Sequence, residues 1–260
     1  MNIVVCIKQV PDTMDVRINP VTKNLDRTNI TGVINPFDKN AIEEAIRLKE
    51  KHGGEITAIS MGPPQTIEAL REALAMGCDH ARLLSCREMG GADTLATGYV
   101  LSKAVKKIGD VDIVLFGSHA VDADTGQTGP IVAEFLDFKQ ITFVSQVDIV
   151  GGFVTATRML EEGKEKVRVK LPVVMTVTKH LNTPRYSKPV NIMKAFRKEI
   201  PVWSYEDLGC DINLIGIPGS PTIVTEIFEP EKRSEVEMMQ GSPQEMVKEL
   251  VAKLTANHVI

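Results

Sequence analysis

The chain has 260 residues, of which 43% are hydrophobic, 25% charged and 5% aromatic. That composition is too apolar for disorder, and the length exceeds the roughly 100 to 200 residues of a typical single domain, so a full core forms with sequence left over. Basic residues number 30 and acidic residues 34, a net charge of −4, which excludes a strong global field for nucleic acid or an anionic membrane.

No apolar run approaches the roughly 20 residues that cross a bilayer, and the opening IVVCI is interrupted at once by Lys8. The expectation is a cytoplasmic protein, neither secreted nor inserted. Cys6, Cys78, Cys86 and Cys210 show no CxxC spacing and read as reduced structural thiols, with no ligand cluster for zinc.

The first 140 residues alternate two periods. Asn2 to Val10, Glu55 to Met61, Ala81 to Cys86 and Asp112 to Phe116 are short apolar or β-branched runs, the pattern of buried parallel strands. Between the first two lies NPFDKNAIEEAIRLKEKHGG, which predicts a helix with Asn35 as N-cap, Pro36 first, Asp38 third and Gly53 as the stop. PQTIEALREALAMG repeats the logic with Gly77, and a third helix is expected from Ala92 to Ile108. Strands separated by helices of this length imply right-handed crossovers and a doubly wound parallel sheet, an α/β, Rossmann-like nucleotide-binding class. The NPVTKN stretch inside Val16 to Leu25 suits a small hairpin or an ordered excursion.

After Asp137 the pattern becomes strands broken at Gly151-Gly152 and at EEGK, so antiparallel strands are expected to join the sheet. Beyond Lys179 regularity fades until SPQEMVKELVAKL, where Ser242, Pro243 and Glu245 make a capping-box start and Met246, Val247, Leu250, Val251 and Leu254 an apolar stripe. Residues 1–180 then read as the nucleotide-binding domain and residues 181–260, with Trp203, Tyr205 and Ile227-Phe228 among prolines and polar stretches, as an arm that packs on a partner.

The loop after the fourth strand carries the most chemistry. GSHAVDADTGQTGP places glycines, small hydroxyl residues and two aspartates before a helix expected near Gly126. Ligands of doubly wound folds sit at the carboxyl ends of strands. N–H groups of Thr125, Gly126, Gln127 and Thr128 would surround a phosphate there, with about half a positive charge from the helix dipole. Asp122 and Asp124 read as caps of the loop, as ribose ligands or as a Mg2+ pair for a nucleotide-dependent transferase. No GxxxxGK[ST] or strand-linked GxGxxG is present. Three further segments converge on the same edge: Cys6 and Val10 after the first strand, Asn35 to Asp38, and Met61. Cys6 and Met61 read equally as core or as contacts to an adenine ring. Asp93 and Thr94, with Thr97 one turn on, cap the third helix or face the ligand. His119 is the loop's single histidine, and no nucleophile elbow or acid/base pair accompanies it. A bound redox cofactor fits that lack of side-chain machinery.

These residues carry a resemblance. CIKQVPDT, NPFDKNAIEEAIRLKE, the GSHAVDADTGQTGP loop, SQV, and KLPVVMTVTKHLNTPRYSKPVNIMKA together resemble the β subunit of electron-transfer flavoproteins over nearly the whole chain. The resemblance implies a heterodimer with an α subunit that carries FAD on a mobile domain. The β subunit of the family holds AMP or, in electron-bifurcating members, a second FAD. Its nucleotide contacts carry over onto Cys6, Asn35, Phe37, Asp38, Met61 and the loop from Gly117, Ser118 and His119 through Asp122, Asp124, Thr125, Gly126, Gln127 and Thr128. The family's recognition loop for partner dehydrogenases falls on Arg185, Tyr186, Pro189, Ile192, Met193 and Lys194, with Pro189 where some members carry leucine.

Two departures point to the bifurcating group: Thr13 where simple carriers commonly have a bulky tyrosine, and DADTGQTG where many AMP-holding members have a third acidic residue and an asparagine. The expectation is FAD on this chain, reduced by NADH, with one electron passing to ferredoxin or flavodoxin and the other through the α-subunit FAD to an acyl-CoA dehydrogenase. The alternative is a simple carrier in which AMP is structural. A free-standing nucleotide-binding regulator explains the loop but not NTPRY followed by NIMKA.

Overall fold

The structure, a computed structural model, describes residues 1–12, 32–225 and 237–260. Thr13, the expected hairpin at 16–25 and Ile227-Phe228 lie outside the described residues. Residues Met1–Thr225 form one compact unit and Glu226–Ile260 a second.

The first unit is built on a nine-stranded, mostly parallel sheet. Its first strand, β1 (Asn2–Cys6), is shorter than its apolar run: the chain leaves the sheet at Ile7-Lys8 and forms β2 (Gln9–Pro11), which pairs antiparallel with β3 (Gly32–Ile34). Helix α1 (Pro36–His52) begins at Pro36 and stops at Gly53 as its local signals dictate. There follow β4 (Glu55–Met61), α2 (Ile67–Met76), β5 (His80–Leu84), α3 (Thr94–Ile108), β6 (Ile113–Gly117) and α4 (Thr128–Leu136). Helices α3 and α4 each start two residues later than the pattern suggests, α3 because Asp93 caps it through Leu95 and Ala96 N–H.

The expected antiparallel strands are β7 (Lys139–Val150), β8 (Phe153–Leu160) and β9 (Gly163–Lys170); β10 (Val173–Val177) returns parallel between β6 and β7. Two elements follow where regularity was expected to fade, α5 (Pro189–Arg197) and β11 (Val202–Trp203). Sheet order is β11-β5-β4-β1-β6-β10-β7-β8-β9. Trp203 therefore sits on the sheet edge beside Leu84, and together with Tyr205 packs on the α3 face.

Alternation along β1 shows how the two layers are filled. Ile3 and Val5 point to α1 and α2, where Ile42, Ala45, Leu70 and Ala73 meet them; Val4 and Cys6 point to the α3 and α4 side, with Val100, Val105 and Val132. Each fully buried aliphatic side chain contributes about 1.5–3 kcal/mol. Helix α3 lies close to α4 because Gly98 has no side chain: a Cβ there would strike the Ile131 side chain.

In the second unit α6 (Pro243–Ala256) carries the full capping box, Ser242 accepting from Glu245 N–H and Glu245 answering at Ser242. Its Val247, Leu250 and Val251 are exposed. Among the described residues no helix is long and apolar enough to cross a membrane.

Candidate functional site

Strand β1 pairs with β4 on one side and β6 on the other, and its chain leaves to α1 while β6 leads to α4. Connections that depart in opposite directions open a crevice at the carboxyl ends of these strands. Asn35 and Asp38 line its floor. Asp38 is buried, and its carboxylate accepts from Lys8 N–H (2.7 Å), Gly117 N–H (3.0 Å) and the Asn35 amide (3.0 Å). Burial pushes the Asp38 carboxyl up to about 7, although these hydrogen bonds and the Lys8 charge oppose it.

Asn35 is in the N-cap position, but its side chain does not cap α1. Its amide instead donates to His119 O (2.9 Å) and its oxygen accepts from Val121 N–H (3.2 Å). The residue predicted as a helix cap thus holds the loop after β6. Phe37 stacks at a tilt on the His119 ring, centroids 4.2 Å apart. Gly117 lies so close to α1 that a Cβ would sit 2.7 Å from Phe37 Cβ and strike the Asp38 carboxylate.

The loop from Gly117 to Thr128 is anchored at both ends. Ser118 N–H continues the ladder to Val177 O (2.8 Å), and the Ser118 hydroxyl is 3.0 Å from His119 Nδ1. Asp122 pairs with Lys8 Nζ (2.6 Å), Asp124 Oδ1 lies 3.6 Å from His119 Nε2, and Thr94 donates to the Gln127 side chain (3.0 Å). Asp124 and Gly126 adopt positive φ, 51° and 63°, so the backbone reverses tightly before α4. Among the described residues, no acceptor meets the N–H groups of Thr125, Gly126, Gln127, Thr128 and Gly129. A run of donors at a helix N-terminus is suited to a phosphate oxygen. Asp122 is thus held by Lys8, and Asp124 faces His119 from an exposed position.

The remaining candidates divide. Cys6 is in the core on the α3 side, and burial, with the Asp38 charge second, pushes its thiol well up; Val10 is buried in β2. Met61 is half-buried at the end of β4, at the crevice edge. Asp93 is a cap: Oδ1 takes Leu95 and Ala96 N–H, and Oδ2 takes Thr222 N–H and hydroxyl. Desolvation opposes, but these bonds hold its carboxyl below the usual range. Thr97 lies one turn on, its N–H bonded to Asp93 O. Lys8 was not among the expected site residues, though its charge inside an apolar run was a visible signal.

The segment after β10 docks on α1. Asn182 exchanges hydrogen bonds with Asn40 and donates to Glu44 (2.9 Å). Arg185 donates to Glu43 (2.8 Å) and Glu50 (2.6 Å), so its guanidinium is turned onto the helix. Tyr186, next to it, is 98% exposed. Pro189 opens α5, which packs on α2 through buried Ala195 and presents Ile192, Met193 and Phe196 to solvent; Lys194 lies in its last turn. Arg71 closes that helix by donating to Ala195 O (3.2 Å) and Phe196 O (3.0 Å).

A mostly parallel sheet wound on both faces, with a donor-rich loop where its strand order reverses, defines an α/β protein of the doubly wound class. Residues 22–208 match the family of the electron transfer flavoprotein domain. The chain is 50% identical to the electron transfer flavoprotein subunit beta of Thermoanaerobacterium thermosaccharolyticum, covering all of both chains. It is 42% identical to the caffeyl-CoA reductase-Etf complex subunit CarD of Acetobacterium woodii and 40% identical to the acryloyl-CoA reductase electron transfer subunit gamma of Anaerotignum propionicum, again over the full length of each. The chain belongs to the electron transfer flavoprotein β-subunit family, whose members are electron carriers.

Proposed function

We propose that this chain, paired with a flavoprotein α subunit in the cytoplasm, holds FAD in the crevice between β1 and β6 and serves an electron-bifurcating complex. The observation that supports a nucleotide there is the run of N–H donors from Thr125 to Gly129 at the start of α4, unmet among the described residues. Thr125, Gly126, Gln127 and Thr128 would hold the diphosphate, the edge at Met61 would flank the adenine, and Asn35 would keep the loop in place. Thr13, in place of a bulky aromatic, supports FAD over AMP. FAD supplies the capacity to accept a hydride from NADH and release its two electrons singly, one to ferredoxin or flavodoxin and one by way of the α-subunit FAD. Relatives named for caffeyl-CoA reductase and acryloyl-CoA reductase support a CoA-thioester enzyme, of the acyl-CoA dehydrogenase kind, as the final partner. Tyr186, Ile192 and Met193, exposed on and before α5, would face it, with Arg185 holding the segment on α1. The arm after 225 would pack on the α subunit.

The second reading is structural AMP in a simple carrier. Pro130 favours it: as the third residue of α4 it has no N–H, so the helix itself offers only Thr128 and Gly129, enough for a single phosphate group. Extraction of nucleotides from the purified α/β complex decides between them. Two FAD per heterodimer are expected; one FAD with one AMP overturns the bifurcating reading.

A further inference from the structure

The N–H groups of Lys8 and Gly117 stand where β1 and β6 end and their chains part. A buried N–H without an acceptor costs about 1–3 kcal/mol, and here one side chain takes both: Asp38 Oδ2 accepts from Lys8 and Oδ1 from Gly117. The same Oδ1 accepts from Asn35, whose amide reaches on to His119 O and Val121 N–H. Asp38 is the third residue of α1, where the helix dipole also favours an anion. No side chain at Gly117 intervenes, since a Cβ there would collide with Phe37 and with the carboxylate itself. One carboxylate therefore joins two strands, a helix start and, through Asn35, the donor loop.

We propose that Asp38 is a positioning residue of the nucleotide site: its carboxylate clasps the ends of β1 and β6 and, through Asn35, holds the 118–127 loop in its phosphate-binding shape. The proposal rests on the nucleotide reading above. All three partners of the carboxylate are donors, so its protonated form turns an O–H against one of them and the clasp loosens. Because burial places this titration at about 7, nucleotide affinity depends on pH near neutrality. The titratable groups facing it are Cys6 and Lys8 from the β1 side and, across Asn35 and Lys8, His119 and Asp122 of the loop.

The test uses the α/β complex with the α-subunit FAD retained and this chain's nucleotide removed, takes AMP and FAD as probes, and measures Kd from pH 5.5 to 8.5. Affinity of the wild-type complex is expected to fall about tenfold between pH 8 and 6, the scale of one hydrogen bond to a charged group. Asp38→Asn, which cannot accept on both sides, should bind about tenfold more weakly at pH 8 with a flattened profile. A folded, paired Asp38→Asn complex that keeps the wild-type affinity or the wild-type pH dependence overturns the proposal. Should that variant fail to fold, His119→Gln decides: the fall below pH 8 must persist, and a flat profile assigns the titration to His119 and overturns the clasp. Failure of the wild-type complex to bind either probe at any pH removes the nucleotide reading itself; binding without pH dependence removes only the role of Asp38.

Discussion

Arg185 binds two carboxylates of different burial, Glu43, 4% exposed, and the exposed Glu50. Although burial of Glu43 opposes it, hydrogen bonds from Arg185 and Arg47 hold that carboxyl below its ordinary value. Arg185→Ala leaves Glu43 with Arg47 and the backbone N–H of residue 185, and the expected loss is about 1–3 kcal/mol, below the cost of an unpaired buried charge because these partners remain. It would be read as a lower urea midpoint. A depressed carboxylate stabilises above its unfolded pKa and loses that contribution as pH falls through its folded value, so the acid-side loss of stability should shrink in this variant. Asp38 has the opposite sign. Its folded value is raised to about 7, so its contribution to stability is full below about pH 4 and fades as pH rises to about 7. The difference in unfolding free energy between wild type and Asp38→Asn should follow that window, while nucleotide affinity moves the other way. Asn35 and Asp38 were legible as the start of a helix because that signal is local. Their bonds to Gly117 and Val121 span 79 and 86 residues, a separation over which sequence periodicity says nothing.

Helix α5 shows the same limit for an element. Its nine residues hold a single buried side chain, Ala195, while Val190, Ile192, Met193 and Phe196 face solvent, so its apolar residues do not mark a core face; it is held by α2 and by Arg71 at its C-terminal carbonyls. Arg71→Ala should cost about 0.5–1.5 kcal/mol locally and appear as faster amide exchange across 189–197, with the global transition little changed. Helices α3 and α4 make the contrary case: Gly98 fits directly against Ile131. Gly98→Val should overpack that crossing by about 1–3 kcal/mol and displace the first turn of α4, seen as weaker retention of nucleotide by the complex. The parallel strands, the antiparallel insert and the capping box of α6 were all readable, since each rests on alternation or on residues within one turn. Strand β11 was not, because two residues have no period; only the edge of β5 makes Val202–Trp203 a strand.

At the scale of the molecule, 1–225 is a compact unit with both layers of its core filled from within. A chain ending at Thr225 is expected to unfold in one cooperative transition close to that of the full chain, and to run alone in size-exclusion chromatography when mixed with the α subunit. Co-elution of the shortened chain would reject the arm as the pairing element. The two borders of the sheet are finished differently. Strand β9 turns Lys164, Lys166, Arg168 and Lys170 to solvent, and a charged border resists pairing with other chains. Strand β5 has no such row and is closed by β11, whose residues come more than a hundred positions later. During translation, at about 5–20 residues per second, the β5 border therefore stays open for several seconds after its own strand is made. For that interval the growing polypeptide depends on chaperones, or on dilution, to keep it from adhering to its neighbours on the polysome.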